Sequence, residues 1–260
     1  MAFPRVVPLN WRDVPELPTS FCFCPIKDVQ ISSQLLLLMV LNKAESTGSN
    51  DGQKNTGKRQ GFGMPGGGVN PECLDSIDGA AKRETESETG LSMLGGYRYS
   101  APVLEEYQLI VSAKQTGERK KRIPYEKGKE PPISIDIKNE IAIRNPVYTF
   151  RGEVSWEKSI LRQLFLKVKS DWLSSDSNDR EVVGQSIEQN GMYVLFEDLS
   201  EEEVQSLRIE EIDEIAGIGV FTLSFLLQML EERNPYFEDN YFYYNHLSRI
   251  KSCATKLKLV

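Results

Sequence analysis

Apolar residues along this chain collect in short dense runs separated by long polar stretches. Phe21 to Asn42 is rich in β-formers and predicts one or two strands. Its apolar centre, LLLLMVL at Leu35–Leu41, is seven residues long, far short of the ~20 needed to span a bilayer, so it reads as a buried strand. Residues 43–60 are polar and rich in Gly, Ser and Asn, which predicts a surface loop. GFGMPGGGV then reads as a short strand ending in a glycine turn, followed by a helix and by EEYQLIVSA as a further strand. Residues 114–130, KQTGERKKRIPYEKGKE, predict a second loop, strongly basic. ISIDIKNEIAI, VYTFRGEV and LRQLFLKVKS suggest more strands, and MYVLFEDL a strand that runs into a helix start, LSEEEVQSL. There Ser200 and Glu203 have the spacing of a capping box. IGVFTLSFLLQMLEE predicts one long apolar helix. No internal repeat is present. Strands mixed with few helices imply an α/β (α+β) layered domain. The expected organisation is an N-terminal arm at 1–20, a main domain at 21–232 with loop insertions at 43–60 and 114–130, and a C-terminal extension at 233–260.

Composition narrows the chemistry. The chain has 260 residues, 40% hydrophobic and 27% charged, with a formal net charge of −7. That argues against a nucleic-acid coat or an anionic-membrane binder. The opening MAFPRVVPLNWRD has two prolines and no apolar signal-type run, so a cytoplasmic protein with no membrane partner is expected. Four cysteines, with Cys22 and Cys24 facing one side of a strand, read as reduced hydrophobes. Cys73 and Cys253 supply no second pair for zinc. His246 is the only histidine and reads as a packing residue, so chemistry must run on carboxylates, which suit hard cations. The aromatic segment NPYFEDNYFYYNHL fits core packing or the contact of a homodimer.

The stretch MPGGGVNPECLDSIDGAAKRETESETGL, Met64 to Leu91, carries the candidate site. Asp75 can cap a helix with Asp78 three residues on. Ile77, Ala80, Ala81 and Thr85 make a narrow apolar stripe, and Gly90 falls where a left-handed C-terminal residue is usual. Glu84 and Glu88 are four apart and share a face beside that stripe. Two desolvated like charges repel, and a divalent cation removes that cost. The glycine turn offers backbone N–H groups and lets a phosphate approach closely. It lacks the Lys-Ser/Thr of a P-loop.

This stretch resembles the Nudix box, G-x5-E-x7-R-E-U-x-E-E-x-G-U with U a bulky aliphatic. Arg83-Glu84 followed by Glu88, Thr89, Gly90 and Leu91 matches its second half, and MPGGGV matches the strand-turn before it. The resemblance implies a Nudix-type α/β/α sandwich with a mixed central sheet. It implies hydrolysis of the pyrophosphate link in a nucleoside diphosphate joined to another moiety, with Mg²⁺ or Mn²⁺ held by helix carboxylates. Carried over by position, Glu84 and Glu88 become metal ligands and catalytic residues, Arg83 fixes the loop–helix geometry, and Gly66, Gly67 and Gly68 form the phosphate-side turn. There are departures. The stretch from the turn to Arg83 is two residues longer than the pattern, leaving Glu72 or Asp75 to stand for its early glutamate. Ser87 occupies an acidic position and Thr85 an aliphatic one. Glu153 and Glu188 are candidates for a downstream base. Tyr107 falls roughly where relatives that cleave dinucleoside polyphosphates often carry a tyrosine. The basic residues Lys120, Lys121 and Arg122 suggest either a solvated loop or a lid over the site. Ser87 and the longer spacing leave room for a second reading, a catalytically weak nucleotide-sensing or partner-binding module.

Overall fold

The computed structural model describes residues 7–8, 10–27, 35–44, 60–69, 76–93, 101–116, 119–131, 134–136, 138–155, 189–237 and 240–260. Glu72, Cys73, Asp75, Glu188 and the predicted strand LRQLFLKVKS lie outside these residues. So does most of 43–60.

Among the described residues nine strands form the two larger sheets. They are β1 (Thr19–Phe23), β2 (Leu36–Asn42), β3 (Gly61–Gly63), β4 (Gly66–Gly68), β5 (Leu104–Ala113), β6 (Arg119–Pro124), β7 (Glu140–Arg151), β8 (Gly191–Leu195) and β9 (Ile215–Thr222). Among the described residues four α-helices accompany them: α1 (Ile77–Thr89), α2 (Glu201–Ser206), α3 (Leu223–Glu231) and α4 (Tyr244–Lys256). The first sheet is mixed, in the order β4-β1-β7-β5-β6, with β1 and β7 parallel and the remaining pairs antiparallel. The second is antiparallel, in the order β8-β9-β2-β3.

Alternation along β1 sets the layers. Ser20 and Cys22 face α1: the Ser20 hydroxyl donates to the Ile77 carbonyl at 2.7 Å, and Cys22 packs with Leu91 and Met93. Phe21 and Phe23 face α4, where the Arg249 guanidinium lies 5.1 Å from the Phe21 ring centre and Phe23 packs with Leu247 and Ile250. The mixed sheet therefore sits between helices, as the α/β/α expectation requires. The second sheet explains LLLLMVL. Leu36 and Leu38 enter the core with Cys22, while Leu37, Met39 and Leu41 enter the one beneath α3 and α4. A strand buried on both faces carries no polar alternation. Cys22 and Cys24 share the first core as free thiols, as their spacing predicts.

Two expectations change. The run Ile218–Glu232 is not one helix. Its first part is β9, paired on both sides by β8 and β2, and the helix begins only after Thr222, whose Oγ1 accepts the Phe225 N–H at 3.2 Å. Residues 114–130 are not simply a loop, because β6 pairs along β5 and closes the sheet edge with a basic strand. Val14 is buried with Leu109 and Val111, and α4 buries Leu247, Ile250, Cys253 and Ala254 in the core with Phe23. The Ser200 capping box forms as its spacing predicts.

Candidate functional site

Helix α1 is held at both ends. Its N-cap is Ser76, whose hydroxyl accepts the Gly79 N–H at 3.1 Å, one residue beyond the expected Asp75. At the other end Gly90 is left-handed, with φ 66°, and its N–H bonds the Glu86 carbonyl at 2.8 Å. A Cβ at Gly90 would stand 1.6 Å from the Leu207 carbonyl oxygen, so the chain after α2 is pressed onto the end of α1. Between the ends the small residues Ala80, Ala81 and Thr85 are buried, which lets the helix lie close on β1 and β4.

That closeness brings the carboxylates to the glycine turn. Glu88 Oε2 accepts the Gly66 N–H at 2.8 Å. Gly66 has φ 143°, and a Cβ there would lie 2.3 Å from the Ser20 carbonyl oxygen; one at Gly67 would lie 2.6 Å from Glu84 Oε2. Gly68 is exposed, with open space around it. Glu84 and Glu88 are only 8% and 5% exposed. The Arg83 guanidinium pairs with Glu84 at 2.7 Å. Burial pushes the Glu84 carboxyl above the usual carboxylate range, the Glu211 charge adds to this, and Arg83 opposes it.

The structure adds one acid that sequence reasoning missed. One oxygen each from Glu84, Glu88 and Glu211 lie within 4.8 Å of one another. Glu211 comes from the turn between α2 and β9, inside an acidic segment, EEIDE, whose spacing to the box carries no signal.

The remaining candidates lie elsewhere. Glu153 pairs with Arg151 at 3.0 Å and is outside that group. The Tyr107 hydroxyl donates to Glu105 at 2.5 Å, and Lys127 lies 5.6 Å over its ring. Burial first, and that hydrogen bond second, raise the Tyr107 phenol to about 12. His246 is a packing residue: its Nδ1 accepts the Met64 N–H at 2.9 Å and its ring meets Phe21 edge-on at 4.7 Å. The lid expectation fails on topology. The basic strand β6 forms the edge of the mixed sheet opposite β4, with three strands between them. At about 4.8 Å per strand it stands roughly 19 Å away.

The donor set suits a hard divalent cation such as Mg²⁺ or Mn²⁺, since it is all carboxylate oxygen. Gly67 leaves Glu84 the space that any side chain would take.

The sequence matches no family model and no curated protein. Among solved structures the chain is similar to Shewanella oneidensis NrtR complexed with a 27mer DNA, at 12% identity and a TM-score of 0.34, over 93% of this chain and 62% of that one. It is similar to a MutT protein from Methanosarcina mazei Go1, at 15% identity and a TM-score of 0.26, over 53% and 64% of the two chains. It is also similar to the NUDIX domain of Shewanella oneidensis NrtR complexed with ADP ribose, at 10% identity and 0.35, over 96% and 93%. The chain thus spans under two thirds of the first two and nearly all of the third. The third is a NUDIX domain, and likenesses this loose carry no argument. Among the described residues no helix is long and apolar enough to cross a membrane.

Proposed function

We propose that this chain is a divalent-cation-dependent hydrolase of the Nudix type, acting on the pyrophosphate link of a nucleoside diphosphate derivative. The observation that carries the reading is the Gly66 N–H bonded to the buried Glu88 carboxylate, with Gly67 against Glu84. A glycine turn and a helix that would otherwise be unrelated are built into one acidic, close-approach site. Glu84 and Glu88 are the assigned holders of Mg²⁺ or Mn²⁺. Bound there, the cation would supply neutralisation of charge developing on the bridging phosphate oxygens and acidification of a water. The protein's part is positional. The Gly66 N–H orients Glu88, Arg83 orients Glu84, and Gly67 leaves the Glu84 carboxylate the space a Cβ would take.

The test is a panel of nucleoside diphosphate compounds incubated with the full chain and Mg²⁺ or Mn²⁺, with products separated by chromatography. Turnover that EDTA abolishes and Glu88→Gln lowers by about a hundredfold or more supports the hydrolase. A second reading is favoured by Ser87 standing at an acidic position of the box. In that case the protein is a nucleotide-binding module, and the same panel gives tight binding without turnover.

A further inference from the structure

Ser87 is the departure that most weakens the box, yet it is not idle. It is 5% exposed, and its hydroxyl lies 2.9 Å from Glu211 Oε1 and 3.1 Å from the Glu84 carbonyl. We infer that Ser87 and Glu211 together replace the missing helix acid: Glu211 brings the third carboxylate to the cation site from a distant segment, and Ser87 is the positioning residue that holds it. This rests on the cation-site reading above.

The turn carrying Glu211 is fastened at several points. The Ser87 carbonyl accepts the Glu210 N–H at 2.9 Å, so the turn docks on the backbone and side chain of the same residue. Lys43 bonds its far side, through Nζ to the Ile212 carbonyl at 2.9 Å and through its N–H to the Glu214 carbonyl at 2.8 Å. The Leu207 carbonyl closes over Gly90. Glu211 is therefore aimed rather than loosely solvated. A purely structural role would not call for its charge. Glutamine would accept the same hydrogen bond without adding a third negative group beside Glu84 and Glu88. A glutamate side chain at position 87 would enter the space Glu211 now fills, so the two arrangements are alternatives.

The test is Mn²⁺ titration of the full chain, with free Mn²⁺ read by electron paramagnetic resonance and Tm read with and without the metal. Wild type should bind Mn²⁺, and Glu88→Gln should abolish binding. Glu211→Gln should weaken it about tenfold or more, and Ser87→Ala several-fold. The metal-free Tm of Glu211→Gln should not fall, because a repulsive charge has gone. The double variant Ser87→Glu/Glu211→Ala moves the acid back onto the helix, into the space the Glu211 side chain vacates, and should recover most of the affinity lost in Glu211→Gln. Wild-type binding that Glu88→Gln abolishes but Glu211→Gln leaves unchanged overturns this inference alone. No Mn²⁺ binding by wild type sinks the cation-site reading, and this inference with it. Should the double variant fail to fold by circular dichroism, Ser87→Ala decides: unchanged Mn²⁺ affinity there overturns the holding role.

Discussion

Gly67 lacks a side chain because a carboxylate occupies the space where one would begin. Its missing Cβ would meet Glu84 Oε2 at 2.6 Å, and that neighbour is the movable end of a side chain. Gly67→Ala should therefore fold, with Tm within a few degrees of wild type, while Glu84 is displaced. The expected result is loss of Mn²⁺ binding in the same titration without loss of the circular dichroism spectrum. The thiols show burial acting in the same direction as it does on Glu84. Cys253 is fully buried, which raises its thiol to about 12 from an ordinary value of 9.0, and the Cys24 thiol is raised well above 9.0, first by its contact with Cys22 and then by burial. With the folded value above the unfolded one, this stabilisation is complete below pH 9 and drains away as pH rises toward 12. A thiol-reactive dye at pH 8 should accordingly count at most one of the four cysteines in native protein, and all four in denaturant.

Helix α1 shows what a sequence reveals at the scale of an element. Its acids, its stripe of small residues and its terminal glycine were legible because helical geometry ties residues three and four apart to one face. Glu211 was not, since it lies 124 positions from Ser87 and no local period links them. The apolar run Ile218–Glu232 reads as one helix for a related reason. A strand buried on both faces and a buried helix both look uniformly apolar, and only Thr222 as a cap divides them. The basic strand β6 hid because Lys and Arg are poor strand markers, although charge suits a sheet edge exposed to solvent. The close docking at Gly90 can be tested as well. Gly90→Ala places a side chain in a left-handed position and drives it into the Leu207 carbonyl, so a loss of roughly 2–4 kcal/mol is expected in denaturant unfolding. Because Leu207 leads toward Glu211, surviving folded protein should also bind Mn²⁺ more weakly than wild type.

Across the whole molecule, charge is laid out unevenly. The chain is acidic overall, its buried carboxylates gather beside β4, and Lys121 and Arg122 are exposed on the far edge at β6. Lys121→Ala/Arg122→Ala should leave KM and kcat for any nucleotide substrate unchanged at low ionic strength, as measured by initial rates. A several-fold rise in KM would restore the lid. The C-terminal helix reaches the site's approach from the opposite side, through the one imidazole. Because Nδ1 accepts the Met64 N–H, the ring proton resides on Nε2. A chain with a single histidine gives a single set of ring resonances. Met64 lies two positions before Gly66, so those resonances form a built-in reporter, sensitive to whether the strand entering the glycine turn is docked against α4. The nitrogen shifts of one ring can follow that docking in solution, with no label placed at the site itself.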